Sequence, residues 1–306
     1  PEYSAVGNDQ ERLDWLPGIW GDVNLHLYGD ARVNWLQILT DIDTDQLDLN
    51  IEIENFSKQK NNYFLKYQVN EAKSGAILLK LNQLELTLPA ANILKKQIKH
   101  SVNDYQLWSD EHPFLYVLNY ELLDEQQQVC HKDTIHFGFR KFEIRDGHFY
   151  LNNKRKVLFG SNIAFHRLLN DSTRETLLWN PDWIKKAFIE MPKAHNFNFF
   201  RFHLGHAYNR WYDLADENGI MLEDEWGFWT STGTPQQIEK EFKAWLRENC
   251  NRPSVIIWSA LNESSDKIIT SEIIPRLKEL DPTRPWQHVD FAEDHPYIYS
   301  LGPVLN

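Results

Sequence analysis

Two rhythms of apolar residues divide the chain. From residue 33 to about 137 they alternate with polar ones. Leu47, Leu49, Ile51 and Ile53 are separated by Asp48, Asn50 and Glu52 and followed by Glu54, the pattern of a strand with one face on a core and one in water. Tyr63, Leu65, Tyr67 and Val69 repeat it. Leu84, Leu86 and Leu88 follow, and then Tyr116, Leu118, Tyr120 and Leu122. Several such strands within about 105 residues predict an all-β sandwich. No Cys-Trp-Cys arrangement accompanies them, so any immunoglobulin-like character is one of architecture.

From residue 156 the rhythm changes. Lys156 to Gly160 reads as a short strand. Pro181 to His195 is amphipathic, with Pro181 at a helix start. Asn198 to His203 is a second strand, and Trp211 to Asn218 a helix closed by Gly219. Ile220 to Glu225 is a third strand. Thr234, Pro235 and Gln236 open a helix to about Asn249. Val255-Ile256-Ile257-Trp258-Ser259-Ala260-Leu261 is an apolar, β-branched run that ends abruptly in Asn262-Glu263. A run of this kind after Pro253 reads as a buried parallel strand. A helix near Ser271 to Leu280 and a fifth strand from Trp286 to Asp290 complete the series. Strands alternating with helices predict βαβ units and a parallel sheet. The strand ends are polar: Asn162 and His166, Arg201 and His203, Glu223 to Glu225, Asn262 and Glu263. Barrel enzymes gather catalytic groups from several strand ends in this way. A sixth strand could start at Pro296 to Tyr299. A closed (β/α)8 barrel takes eight, so the expectation is a multidomain chain with a sandwich over 33–137 and a partial TIM barrel over 138–306.

Composition narrows the function classes. The 306 residues carry a formal charge of -12 without a basic block, which argues against nucleic-acid binding. No apolar stretch reaches the length of a membrane span. No leader segment is visible, and the compartment is left open. Cys130 and Cys250 stand alone in different predicted domains, forming neither a disulfide framework nor a metal cluster. The 12 Trp suit a large core first. Flat sugar faces also stack on such rings.

Several segments together resemble glycoside hydrolase family 2, which includes β-galactosidases, β-glucuronidases and β-mannosidases. Gly138-Phe139-Arg140, Leu151-Asn152-Asn153-Lys154 and Gly160-Ser161-Asn162 are similar to the segments that lead into the family's barrel. Trp211 to Ile220 resembles its second helix and following strand. Arg252-Pro253-Ser254-Val255 through Asn262-Glu263 resembles its acid/base strand, and Asp281-Pro282-Thr283-Arg284-Pro285 the segment before strand five. Pro17 to Val23, with Leu25 and Leu27, resembles the last strands of its N-terminal sugar-binding jelly roll, which gives residues 1–32 as the remnant of such a domain.

The resemblance implies site roles. Retaining glycosidases use two carboxyl groups roughly 5 Å apart, one acid/base and one nucleophile. Glu263 matches the acid/base. Its bland alternative is a strand-end carboxylate capping the next helix. Asn262 would bond the sugar 2-hydroxyl, and Arg201 would lie beside the nucleophile. His166, His203, Glu225 and Trp226 are candidates for the sugar pocket, with Glu223 and Asp224 facing outward. Many relatives place a His three residues after the strand-two Arg, where this chain has Leu204; that puts the roles of His203 and His206 in question. Glu223 to Glu225 with His203 could suggest a metal site, although carboxylates at strand ends are common; no metal and no cofactor is assigned. The family's nucleophile comes from strand seven, and the chain stops before it. The expected function is therefore a retaining exo-β-glycosidase acting on β-linked glycosides or oligosaccharides, the fragment lacking its nucleophile and inactive alone. The rival is a non-catalytic carbohydrate-binding or scaffold protein that keeps the acid/base strand. A homo-oligomer is left open.

Overall fold

A computed structural model describes residues 23–165, 173–205, 207–227, 233–262 and 266–287. Of the jelly-roll reading of residues 1–32, residues 1–22 lie outside these residues, as does the sixth-strand reading of Pro296 to Tyr299.

Seven strands make the sandwich. One antiparallel sheet has β1 (Ala31–Asp41), β2 (Gln46–Asn55) and β5 (Asn92–Ser101) in the order β1-β2-β5. The other has β3 (Asn61–Glu71), β4 (Ile77–Leu88), β6 (Tyr116–Leu123) and β7 (Val129–Phe137) in the order β4-β3-β6-β7. The alternating residues meet between the sheets: Leu47, Leu49, Ile51 and Ile53 pack with Tyr63, Leu65, Tyr67, Val69 and Leu118 in one buried cluster. Alternation therefore sets the register, because a slip of one residue would turn this whole set to water.

The next three strands were not foreseen. β8 (Phe142–Arg145), β9 (His148–Leu151) and β10 (Lys154–Lys156) form a small antiparallel sheet, β10-β9-β8. Phe142, Phe149 and Leu151 pack with Trp108, Met221, Ile256 and Ile257. The sheet thus plugs the end where the parallel strands begin. Asp146 and Asn152 take positive φ in its turns, as does Gly147, and Asp, Asn and Gly tolerate that region best.

The barrel sheet is parallel, in the order β11-β12-β13-β14-β15. Its strands are β11 (Gly160–Ile163), β12 (Phe199–Phe202), β13 (Met221–Glu225), β14 (Val255–Ser259) and β15 (Trp286–Gln287). The first strand is a correction. It starts at Gly160 rather than running from Lys156 to Gly160. Val157 and Phe159 are exposed and only Leu158 is buried, so this apolar run is a connector. The Asn198 side chain holds it, donating to the Val157 carbonyl and accepting from Phe159 N–H. A Cβ on Gly160 would lie 1.7 Å from the Phe199 carbonyl oxygen, which is why the strand can only begin on glycine.

Helices cover the outer face. α1 joins Pro181–Ile184, a π-helical turn at Lys185–Glu190, and Met191–Ala194. α2 is Asn209–Asn218 and α3 is Pro235–Asn249. α4 joins a π-helical Ile269–Ile273 to Ile274–Leu280. Asn180 and Thr234 cap α1 and α3 through their side chains, satisfying amides that have no partner inside a helix. The layer between sheet and helices is aromatic, with Trp211, Trp245, Trp258 and Trp286 all buried.

The sandwich docks on the barrel through polar contacts. Gln37 Nε2 donates to the Leu280 carbonyl at 2.7 Å. Asn251 accepts from Ile38 N–H and donates to the Leu36 carbonyl, both at 2.8 Å. Arg247 pairs with Glu52 at 2.7 Å and lies over the Trp35 ring. A register shift between Val33 and Trp35 lets Trp35 pack on the barrel core.

Candidate active site

The site lies at the C-terminal ends of β12, β13 and β14. Side chains two apart on a strand share a face. Arg201 and His203 are thus on one side of β12 and its extension, and Glu223 and Glu225 on one side of β13. β12 and β13 pair with Arg201 opposite Glu223, so the two pairs meet. Arg201 Nε donates to Glu225 Oε2 and stands 3.5 Å from Glu223 Oε1. Its Nη2 donates to Asn262 Oδ1 at 2.9 Å. Glu225 Oε1 accepts the Leu204 N–H at 2.8 Å and lies 3.3 Å from His203 Nδ1. Glu223, Glu225 and Asn262 are all buried. Two buried carboxylates thus share one guanidinium, and the planar fork of that guanidinium bridges three strands.

Leu204 takes φ +53 and Gly205 φ +142. A left-handed backbone at leucine is strained, and it is this turn that aims the Leu204 N–H at Glu225. The Arg201 bond also sets the orientation of the Asn262 amide. With Oδ1 accepting, the NH2 group is its donating end.

Asp224 faces the other way, into the helix layer. Its carboxylate accepts from Tyr212 Oη at 2.7 Å and from Trp245 Nε1 and Asn249 Nδ2 at 2.9 Å. Burial raises its pKa to about 6 against the pull of these donors. The expectation that Glu223 and Asp224 both face outward is therefore corrected for Glu223. Period-two alternation along Glu223-Asp224-Glu225 was the available signal.

Trp226 follows the end of β13. Its ring contacts Phe242 at 5.5 Å and Trp245 at 5.8 Å between centroids, both on α3. The half-buried ring thus packs against the helix layer on this side. The Asn262-Glu263 segment follows β14, which ends at Ser259. Glu263, His166 and His206 lie outside the described residues. Among the described residues no three His, Cys, Asp or Glu side chains are grouped to hold a metal ion, and no helix is long and apolar enough to cross a membrane.

Comparison with known proteins places this geometry. Residues 142–300 match the model of the glycosyl hydrolases family 2 TIM barrel domain, and residues 31–140 a second glycosyl hydrolases family 2 model. A β-galactosidase of Lactococcus lactis subsp. lactis (strain IL1403) is 28% identical over 304 residues, 95% of this chain and 28% of that protein. β-Galactosidase 2 of Enterobacter cloacae is 32% identical over 193 residues, 60% of this chain and 18% of that protein. The chain thus spans under a third of these relatives' length. Among solved structures, the Bacteroides uniformis β-glucuronidase superposes with a TM-score of 0.69 at 20% identity, over 85% of this chain and 34% of that one. A β-D-mannosidase from Dictyoglomus thermophilum gives 0.68 at 20% identity, over 86% and 35%. At that identity the likeness is one of fold: a β-sandwich followed by part of a TIM barrel. With one family model covering the barrel half and another the sandwich, the chain belongs to the glycosyl hydrolases family 2.

Proposed function

We propose that the protein carrying this chain is a retaining exo-β-glycosidase, with β-galactosides as its first substrates to try. The observation that carries the reading is the Arg201–Asn262 hydrogen bond. It ties the segment after β14 to the arginine–carboxylate group of β12 and β13, so that polar groups from three strands converge. β-Galactosides come first because the Lactococcus lactis and Enterobacter cloacae relatives are β-galactosidases.

In this reading Glu263 is the general acid/base. It protonates the glycosidic oxygen as the bond breaks, then takes a proton from the water that releases the sugar. Asn262 donates to the 2-hydroxyl, a contact that strengthens as the oxocarbenium-like state forms. Arg201 orients Asn262 and offsets the charge of Glu223 and Glu225. His203 and Glu225 shape the wall of the pocket, and His166 is the remaining candidate contact. Glu225 already accepts from Arg201 and the Leu204 amide. By resemblance to the family, the nucleophile is assigned to a later barrel strand rather than to this pair.

The test is leaving-group dependence in the whole protein. Glu263→Gln should abolish most turnover of β-glycosides with poor leaving groups. It should spare the first step for activated ones, which need no proton. Equal loss on both kinds would sink the acid/base role.

A further inference from the structure

β14 contains an irregularity that the apolar run conceals. Its pairing with β13 steps from Leu222–Val255 directly to Glu223–Ile257, so Ile256 is an extra residue, a β-bulge. The packing agrees. Val255 lies with Leu222 and Trp258 in the core under the helices, whereas Ile256 and Ile257 both lie with Met221 in the plugged barrel interior. Without the bulge, every later residue would face the opposite side. Trp258 would turn into the barrel, and Ser259 would turn toward the helices. The bulge therefore decides which way β14 delivers Asn262.

Two buried arginines hold it. Arg140 Nη2 and Arg284 Nε both donate to the Val255 carbonyl, at 2.7 and 2.6 Å. Arg140 Nε also donates to the Pro253 carbonyl at 3.0 Å. Arg284 Nη2 donates to the Cys250 and Arg252 carbonyls at 2.9 and 2.8 Å. Five guanidinium hydrogen bonds thus converge on the backbone just before and at the bulge. Asp281 pairs with Arg284 Nη1 at 2.5 Å. Arg140 is 5% exposed and its hydrogen bonds go to carbonyls alone. Burial and the neighbouring Arg284 push its pKa well down. Keeping such a group buried costs stability, so its position calls for a reason beyond filling space.

We propose that Arg140, with Arg284, is a positioning residue that pins the Val255–Ile256 bulge and thereby sets the face and height at which β14 presents Asn262 to Arg201 and to substrate. A strand is stiff, and a shift of about 1 Å at a reacting centre can cost on the order of 100-fold in rate. The inference rests on the proposed role of Asn262 at the sugar 2-hydroxyl.

The experiment compares a chromogenic β-galactoside with its 2-deoxy analogue in the whole protein. The ratio of their kcat/KM values reads the Asn262 contact. Asn262→Ala is the reference and should lower that ratio. Arg140→Lys retains the charge but loses the fork, and should lower the ratio in the same direction by about 10-fold or more, with little further effect when combined with Asn262→Ala. A merely structural role would lower both substrates alike, and that outcome, or an unchanged ratio, overturns the proposal. If Arg140→Lys fails to fold, Arg284→Lys is read in the same way. An unchanged ratio in Asn262→Ala would instead refute the role of Asn262, and the inference would fall with it.

Discussion

Asp224 stands between two site carboxylates yet faces away from both. Its pKa of about 6, against an ordinary value near 3.8, has a definite consequence. Between those two values the folded state holds a proton that the unfolded chain releases. The stabilisation is complete below pH 3.8 and is lost as pH rises through about 6, amounting to about 3 kcal/mol in all. The lowered His100 and His131 values act oppositely, since partial burial disfavours their charged form and their contribution is lost as pH falls. The comparison with Asp224→Asn isolates the carboxylate. Denaturation of the native chain at pH 5 and pH 7 should show a fall that the variant lacks, and identical pH dependence in both would contradict the raised pKa. At this scale the sequence was partly legible. Arg201 and Asn262 meet because polar strand ends in a parallel sheet converge. The packing of Trp226 was not legible, because an aromatic residue at a strand end can turn toward either layer, and its contacts with Phe242 and Trp245 come from a helix far along the chain.

Glycines show how element boundaries are set. Gly219 ends α2 with φ +70, and a Cβ there would stand 2.6 Å from the Asp110 carbonyl oxygen. Gly219→Ala should destabilise by about 1–2 kcal/mol from the left-handed backbone alone, and by more from the clash. A urea midpoint equal to that of the native chain would refute this. Gly219 was legible as a helix stop because the signal is local. Gly160 was misplaced because its constraint is not local. The Phe199 carbonyl that forbids a side chain there lies 39 residues away in the chain. The β8–β10 sheet was missed for a related reason: strands of three or four residues carry too little alternation to be told from loops. The bulge in β14 was invisible because Val255, Ile256, Ile257 and Trp258 are all apolar, and an unbroken apolar run holds no record of which face each residue takes.

For the whole molecule, the sandwich and barrel meet through side chains that alternation alone would send to solvent. Gln37 is 1% exposed and Glu52 5% because the barrel covers them. Asn251→Ala would strip the Ile38 N–H and the Leu36 carbonyl of their partner. It should cost about 1–3 kcal/mol and loosen the coupling between the two parts. Tryptophan fluorescence, which reports mostly on the barrel, and far-ultraviolet dichroism, which weights both, should then give separated midpoints. Coincident, unshifted midpoints would show that the docking contacts are dispensable.

The central claim is that Glu263 is an acid/base, and azide rescue tests it most directly. In Glu263→Ala of the whole protein, an activated β-galactoside should still form the glycosyl-enzyme, whose breakdown then lacks its base. Azide needs no base. It should accelerate turnover and give the β-galactosyl azide, with net retention. If Glu263 were the nucleophile, azide would enter the emptied opposite face and the product would be the α-azide. The anomeric configuration, read by proton NMR of the isolated azide, decides between them: β supports the account, and α, or no azide product at all, contradicts it.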